Sequence, residues 1–193
     1  MKKIRTGPKT LLYPMPAFLV GADVDGKPNF MTAAWSGIAC STPPMLTVAL
    51  QHHRYTLKGI QQNGVFSINV PSADLLRETD YCGLFSGDKV DKVAACGFKI
   101  FYGVLKTAPM IEQCPLNLEC KVMHTLYLGS HALLVALIKE VHVSEECLSN
   151  GEPDVGKINP LIYVTGAEKA YYGYGERLAA AFSVGQELKK DAS

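Results

Sequence analysis

The sequence carries no surplus of either charge: 19 Lys and Arg stand against 18 Asp and Glu, a formal net charge of +1 over 193 residues. No general field exists to gather a polyanion, so nucleic acid and acidic membrane surfaces are not expected as partners, and any phosphate recognition must be local. Long hydrophobic runs are missing as well. The apolar stretch from Leu133 meets Lys139 and Glu140 far short of the roughly 20 residues that a membrane helix needs. The basic start, Met1-Lys2-Lys3-Ile4-Arg5, is followed by Pro8, Pro14 and Pro16 before a secretory apolar region can develop, and a cytoplasmic protein is expected. No CxxC pair occurs among the six cysteines (Cys40, Cys82, Cys96, Cys114, Cys120, Cys147), which read as reduced packing thiols. No GxGxxG follows a strand, which argues against a parallel dinucleotide-binding sheet.

What is present is an ordinary globular composition with many turns: 48% hydrophobic residues, 17 Gly and 11 Pro. One domain over residues 1–193 is expected. Ala17 to Val24 and Asn29 to Ala33 read as strands joined by Asp25-Gly26, a hairpin dipeptide. Pro43-Pro44 ends an extended segment and launches a buried strand, Met45 to Leu50. A helix follows over Tyr55 to Asn63, with Thr56 as N-cap and Gly64 as its stop. Val65 to Val70 returns as a strand, a helix carrying Leu75 and Leu76 starts at Pro71-Ser72, and a third runs from a capping Asp88 to Cys96. Asn117 to Leu128 alternates, Leu118, Cys120, Val122, Leu126 and Leu128 against Asn117, Glu119, Lys121 and Thr125, and turns at Gly129-Ser130 into its partner, His131 to Val143. A closing helix is expected over Glu176 to Lys190, with Leu178, Phe182 and Leu188 on one side. The count predicts a mainly β protein with short helices, a Greek-key barrel.

Three segments could carry chemistry. Asn29 to Ser36 mixes an amide, hydroxyls and the single Trp35 at a strand exit, which suits a planar ligand with polar edges as well as a strand whose Trp packs inside. Gln51-His52-His53-Arg54-Tyr55-Thr56 leaves a buried strand and opens a helix, where unpaired N–H groups, the helix dipole and an Arg fork favour phosphate; the bland alternative is a solvated basic turn. Adjacent His52 and His53 diverge and have no carboxylate or thiolate nearby in sequence, so no metal site is expected. Ser86 to Lys92 is a charged turn able to offer a Lys, and His131 follows a tight turn. Tyr171, Tyr172 and Tyr174, broken by glycines, read as packing residues or a flexible cover.

Taken in order, PMPAFLVG at 14–21, NFMTAAWSG at 29–37, RYT at 54–56, YCGLFSGDKVDKVAACGF at 81–98 and LGSHALLVALIKEV at 128–141 resemble the flavin reductase-like, FMN-binding split-barrel family, and within it the flavoredoxins. The resemblance implies a split barrel of the FMN-binding type, a homodimer, and FMN near the subunit interface. It also implies that Asn29, Met31, Thr32, Trp35 and Ser36 line the ring and ribityl chain, that Gln51, Arg54 and Thr56 hold the phosphate, and that Lys92 reaches the cofactor. DKV at 91–93 replaces the family's usual DKF but keeps the Lys. His131 corresponds to a residue on the nicotinamide side, yet GSH at 129–131 stands where relatives carry GDH, which makes NAD(P)H use less secure. The activity implied is electron transfer through FMN, from NAD(P)H or between redox proteins. The competing reading is a dimeric barrel with a non-redox ligand or without a cofactor.

Overall fold

The computed structural model of the chain describes residues 1–186. Seven antiparallel strands form one sheet in the order β3-β2-β6-β9-β10-β5-β4. They are β2 (Phe18–Val24), β3 (Lys27–Ala33), β4 (Ser36–Ser41), β5 (Pro44–Gln51), β6 (Val65–Val70), β9 (Leu116–Leu128) and β10 (His131–Val143). A smaller sheet joins β1 (Met15–Pro16), β13 (Ile162–Val164) and β14 (Ala170–Tyr172), and short pairs are made by β7 (Ile100–Phe101) with β8 (Met110–Ile111) and β11 (Leu148–Ser149) with β12 (Glu152–Pro153). Among the described residues four α-helices connect them: α1 (Tyr55–Asn63), α2 (Leu76–Leu84), α3 (Lys92–Cys96) and α4 (Val155–Ile158). Among the described residues no helix is long and apolar enough to cross a membrane.

One apolar core takes Met31 and Ala33 from one end of the strand order and Leu46, Val48 and Leu50 from near the other, so the sheet is rolled into a barrel. A second cluster, with Leu19, Phe30, Cys82, Phe98, Ile111 and Cys114, lies on the outer face of β2 and β3. Strand β2 is therefore buried along its whole length, and it reads as a near-continuous apolar run. The approach is close. A Cβ at Gly21 would lie 2.6 Å from both the Phe30 ring and the Pro109 carbonyl oxygen. Gly21→Ala is accordingly expected to cost about 1–3 kcal/mol of stability, seen as a lower urea midpoint at unchanged slope.

Helix α1 ends at Gly64 as its sequence predicts, but Thr56 does not cap it. Arg54 takes the N-cap position without a side-chain bond, and the buried Thr56 hydroxyl accepts from Asn29 Nδ2 at 2.7 Å. The second helix begins as a 3-10 turn, Ala73–Leu75, before α2. Helix α3 is shorter than expected because Asp91, not Asp88, accepts from the Ala94 N–H and sets its start. The helix expected over 176–190 does not form in its described part. Residues 173–180 lack regular structure, Leu178 and Phe182 stay exposed, and without a surface to cover them a short amphipathic stretch is not held helical. Leu188 lies outside the described residues.

The polar side of β9 is the main departure from simple alternation. Asn117 and Glu119 lie on the face turned away from the barrel core and are nonetheless buried, while Leu126 and Leu128 at the far end are exposed. The segment 98–115 covers the polar positions. Asn117 Nδ2 donates to Asn69 Oδ1 at 2.8 Å and to the Ile111 carbonyl at 3.1 Å, and Asn69 Oδ1 also accepts from the Ile111 N–H at 2.9 Å. Glu119 receives His142 Nε2 at 2.8 Å and the N–H groups of Val104 and Leu105. Every one of these buried polar groups is thereby paired, as an interior requires. All six cysteines are free, and burial pushes the Cys82 and Cys120 thiols up to about 12, which suits packing thiols.

Candidate functional site

A cavity of about 480 Å³ opens where the rim of the barrel meets α2 and the small sheet. Strand β3 supplies Met31, Thr32 and Ala33, and the turn into β4 supplies Ala34 and Trp35. Leu50 and Gln51 close β5, and three residues later Arg54 opens α1. Opposite elements add Asp80, Gly83 and Leu84 of α2, His131 at the start of β10, and Tyr163, Thr165, Lys169 and Tyr171 around the β13–β14 hairpin. The volume suits a single small organic ligand with aromatic and polar parts.

Each wall has a local cause. The Trp35 and His131 rings stack with centroids 4.7 Å apart and 22° between planes, making a flat apolar shelf. Ser130 Oγ lies 2.7 Å from His131 Nδ1. Burial, followed by the charges of His52, Arg54 and His53, lowers the His131 pKa, so the imidazole is neutral at pH 7. Arg54 Nη1 donates to the Gly83 carbonyl at 3.1 Å, which ties the start of α1 to the last turn of α2. The Thr32 hydroxyl donates to the Thr79 carbonyl, fastening β3 to the same helix. Arg54 and Lys169 outnumber the only acid of the lining, Asp80. Arg54 is itself the N-cap residue of α1, which has no side-chain cap, so the positive pole of the helix lies beside the cavity. The chemistry on offer is anion binding at one end and planar stacking at the other.

Of the residues predicted from sequence, Met31, Thr32, Trp35, Gln51, Arg54 and His131 come together here. Four do not. Asn29 and Thr56 are bonded to each other in the interior. Ser36 Oγ donates to the Thr47 carbonyl at 2.6 Å and borders a neighbouring apolar cavity of about 460 Å³ that also takes in Trp35. Lys92 is 4% exposed, and its Nζ donates to the carbonyls of Phe30 and Cys82, each at 2.8 Å. It lines, with Asn29 and the 87–93 turn, a separate cavity of about 660 Å³. Asp80, Gly83, Tyr163, Thr165 and Lys169 are lining residues that the sequence did not single out; Tyr171 stood out only as an aromatic beside glycine. Among the described residues no group of three or more His, Cys, Asp or Glu is placed to hold a metal.

Comparison with known proteins places the fold. The model of the flavin reductase like domain matches residues 10–171. The crystal structure of flavoredoxin from Methanosarcina acetivorans is 42% identical, covers 97% of this chain and 100% of its own, and superposes with a TM-score of 0.93. Flavoredoxin of Desulfovibrio vulgaris (Miyazaki F) is 41% identical over 96% of this chain and 100% of its own, with a TM-score of 0.88. An FMN-binding protein from Thermus thermophilus, solved with bound 1-cyclohex-2-enone, is 25% identical over 93% of this chain and 99% of its own at a TM-score of 0.78. The antiparallel sheet rolled around one core, with α1 opening beside the cavity, is thus the split barrel of these proteins. The chain belongs to the flavin reductase-like domain family, and within it resembles the flavoredoxins.

Proposed function

We propose that the chain binds FMN in the Arg54 cavity and passes electrons through it. The observation that carries this reading is the pairing of two unlike ends in one space: Arg54 at the uncapped start of α1, and the Trp35–His131 shelf. A phosphate fits the first, because an Arg fork and helix N–H groups both favour a compact dianion. A planar ring fits the second, with Met31 beside it, while Thr32 and Gln51 offer hydrogen-bond groups between the two ends. The names of the similar proteins support the same ligand class, two being flavoredoxins and one an FMN-binding protein. When bound, FMN supplies the redox chemistry; the protein holds, orients and limits access to it. His131, neutral and stacked on Trp35, is placed to pack a second ring without adding a charge.

Two kinds of electron donor fit this reading. As a flavin reductase the protein takes a hydride from NAD(P)H; as a flavoredoxin it exchanges electrons with redox proteins. A homodimer is part of the proposal, because Ile38 on the edge strand β4 and Leu126, Tyr127 and Leu128 at the end of the long hairpin are 73, 51, 67 and 51% exposed, apolar surface that a second copy would cover. Protein purified without added flavin is expected to be yellow, with absorption from bound FMN released by denaturation. A colourless product that also ignores added FMN would favour a barrel with a non-redox ligand. NAD(P)H consumption above that of free FMN selects the reductase branch, and its absence selects the protein-partner branch.

A further inference from the structure

The β13–β14 hairpin reaches the cavity from the small sheet and has few ties to the barrel. Its base is fastened by backbone bonds, Ala17 N–H to Leu161 O at 3.1 Å and Ala73 N–H to Asn159 O at 2.9 Å. Farther along, the Tyr13 hydroxyl donates to the Thr165 carbonyl at 3.0 Å. To α2 the hairpin is joined by the Tyr171 hydroxyl, which donates to Asp80 Oδ1 at 3.1 Å. Tyr163 and Tyr171 are directly paired across the two strands, with ring centroids 5.6 Å apart. Tyr163 is held on its other side by pairing with Met15 of β1, whereas β14 is the edge of the small sheet, and the bond to α2 is what fastens that edge and the Tyr171 wall of the cavity.

We propose that the Tyr171–Asp80 hydrogen bond is a latch that sets how fast the flavin leaves the cavity, making FMN a retained cofactor and not an exchanging substrate. This rests on the FMN reading above. The mechanism is mechanical: with the bond made, the hairpin is held at its far strand as well as at its base; with it broken, the wall is free to swing outward and widen the exit. At 3.1 Å the bond is of ordinary strength, and an amide oxygen in place of the carboxylate can accept it as well. Burial and the adjacent Asp80 both raise the Tyr171 pKa, so the phenol keeps the proton it donates. Tyr171 and Asp80 are positioning residues in this account.

The test compares wild type with Tyr171→Phe, Asp80→Ala and Asp80→Asn, each loaded with FMN and diluted while the fluorescence of released flavin is followed. Tyr171→Phe and Asp80→Ala are expected to release FMN about fivefold faster, the scale of one ordinary hydrogen bond, with association changed little. Asp80→Asn keeps an acceptor oxygen and stays near the wild-type rate. In protein without flavin, amide exchange over residues 162–172 quickens in Tyr171→Phe and not in Asp80→Asn. Release from Tyr171→Phe at the wild-type rate overturns the latch, as does Asp80→Asn behaving like Asp80→Ala. Wild type that binds no FMN overturns the flavin reading instead, and the amide-exchange comparison still decides whether the bond holds the hairpin.

Discussion

Arg54→Ala is expected to weaken FMN binding by roughly 10- to 100-fold, the range for losing a charge-assisted phosphate contact worth about 1.5–3 kcal/mol. The effect has two sources in the geometry. The guanidinium is the cation at the start of α1, where no side chain competes for the first-turn N–H groups. It also grips the Gly83 carbonyl at 3.1 Å, so its loss frees the end of α2 that forms part of the same wall. Arg54→Lys separates them: a point charge remains, but the planar fork that can serve carbonyl and phosphate together is gone, and an intermediate affinity results. Titration of each variant by quenching of FMN fluorescence measures the ratio. Wild-type affinity in Arg54→Ala would move the phosphate to another part of the protein.

Glu119→Ala is expected to destabilise the fold by about 1–3 kcal/mol, the cost of leaving buried donors without their acceptor. The carboxylate is fully buried and gathers His142 with the N–H groups of Val104 and Leu105, so its deletion strands three donors at once. Burial alone would raise its pKa; the His142 bond and the two backbone bonds outweigh that and hold the carboxyl below its usual value. The sign follows by linkage. The unfolded chain takes up the proton more readily than the folded one, so the stabilisation is complete above the ordinary carboxylate range and is lost as pH falls through the folded value. Glu119→Gln keeps the shape without the charge, and its deficit against wild type should shrink as the pH falls through that range. Urea unfolding at a series of pH values tests both statements; a loss below about 1 kcal/mol in Glu119→Ala would mean that the pair contributes little net stability.

The main barrel strands and α1 were legible because their signals are local. Asp25-Gly26 makes its hairpin with positive φ at both residues, 51° and 78°, as the tight turn demands. The long β9–β10 pair follows from its alternation and from Gly129-Ser130. Which polar positions of β9 lie inside was not legible, because a period of two assigns faces but not what covers them; the cover at Asn117 and Glu119 is the distant segment 98–115. The start of α3 was misplaced for a smaller reason: Asp88 and Asp91 are equally good caps in sequence, and only the path of the turn selects Asp91. The cavity divides the same way. Residues near strand ends, such as Trp35, Gln51 and Arg54, announce themselves by type and position, whereas Asp80 and Lys169 enter it only because α2 and the β13–β14 hairpin fold back over the rim.

The amide pair Asn69 and Asn117 has a consequence for how the strands find one another. Directly opposite in the β6–β9 ladder, the two side chains meet at 2.8 Å, and both engage Ile111 on the covering segment. Sliding β9 by one position would turn Asn117 and Glu119 into the apolar interior and bring leucines out in their place. The strand that alternates most regularly, and could otherwise tolerate several alignments with its neighbours, is thereby allowed one.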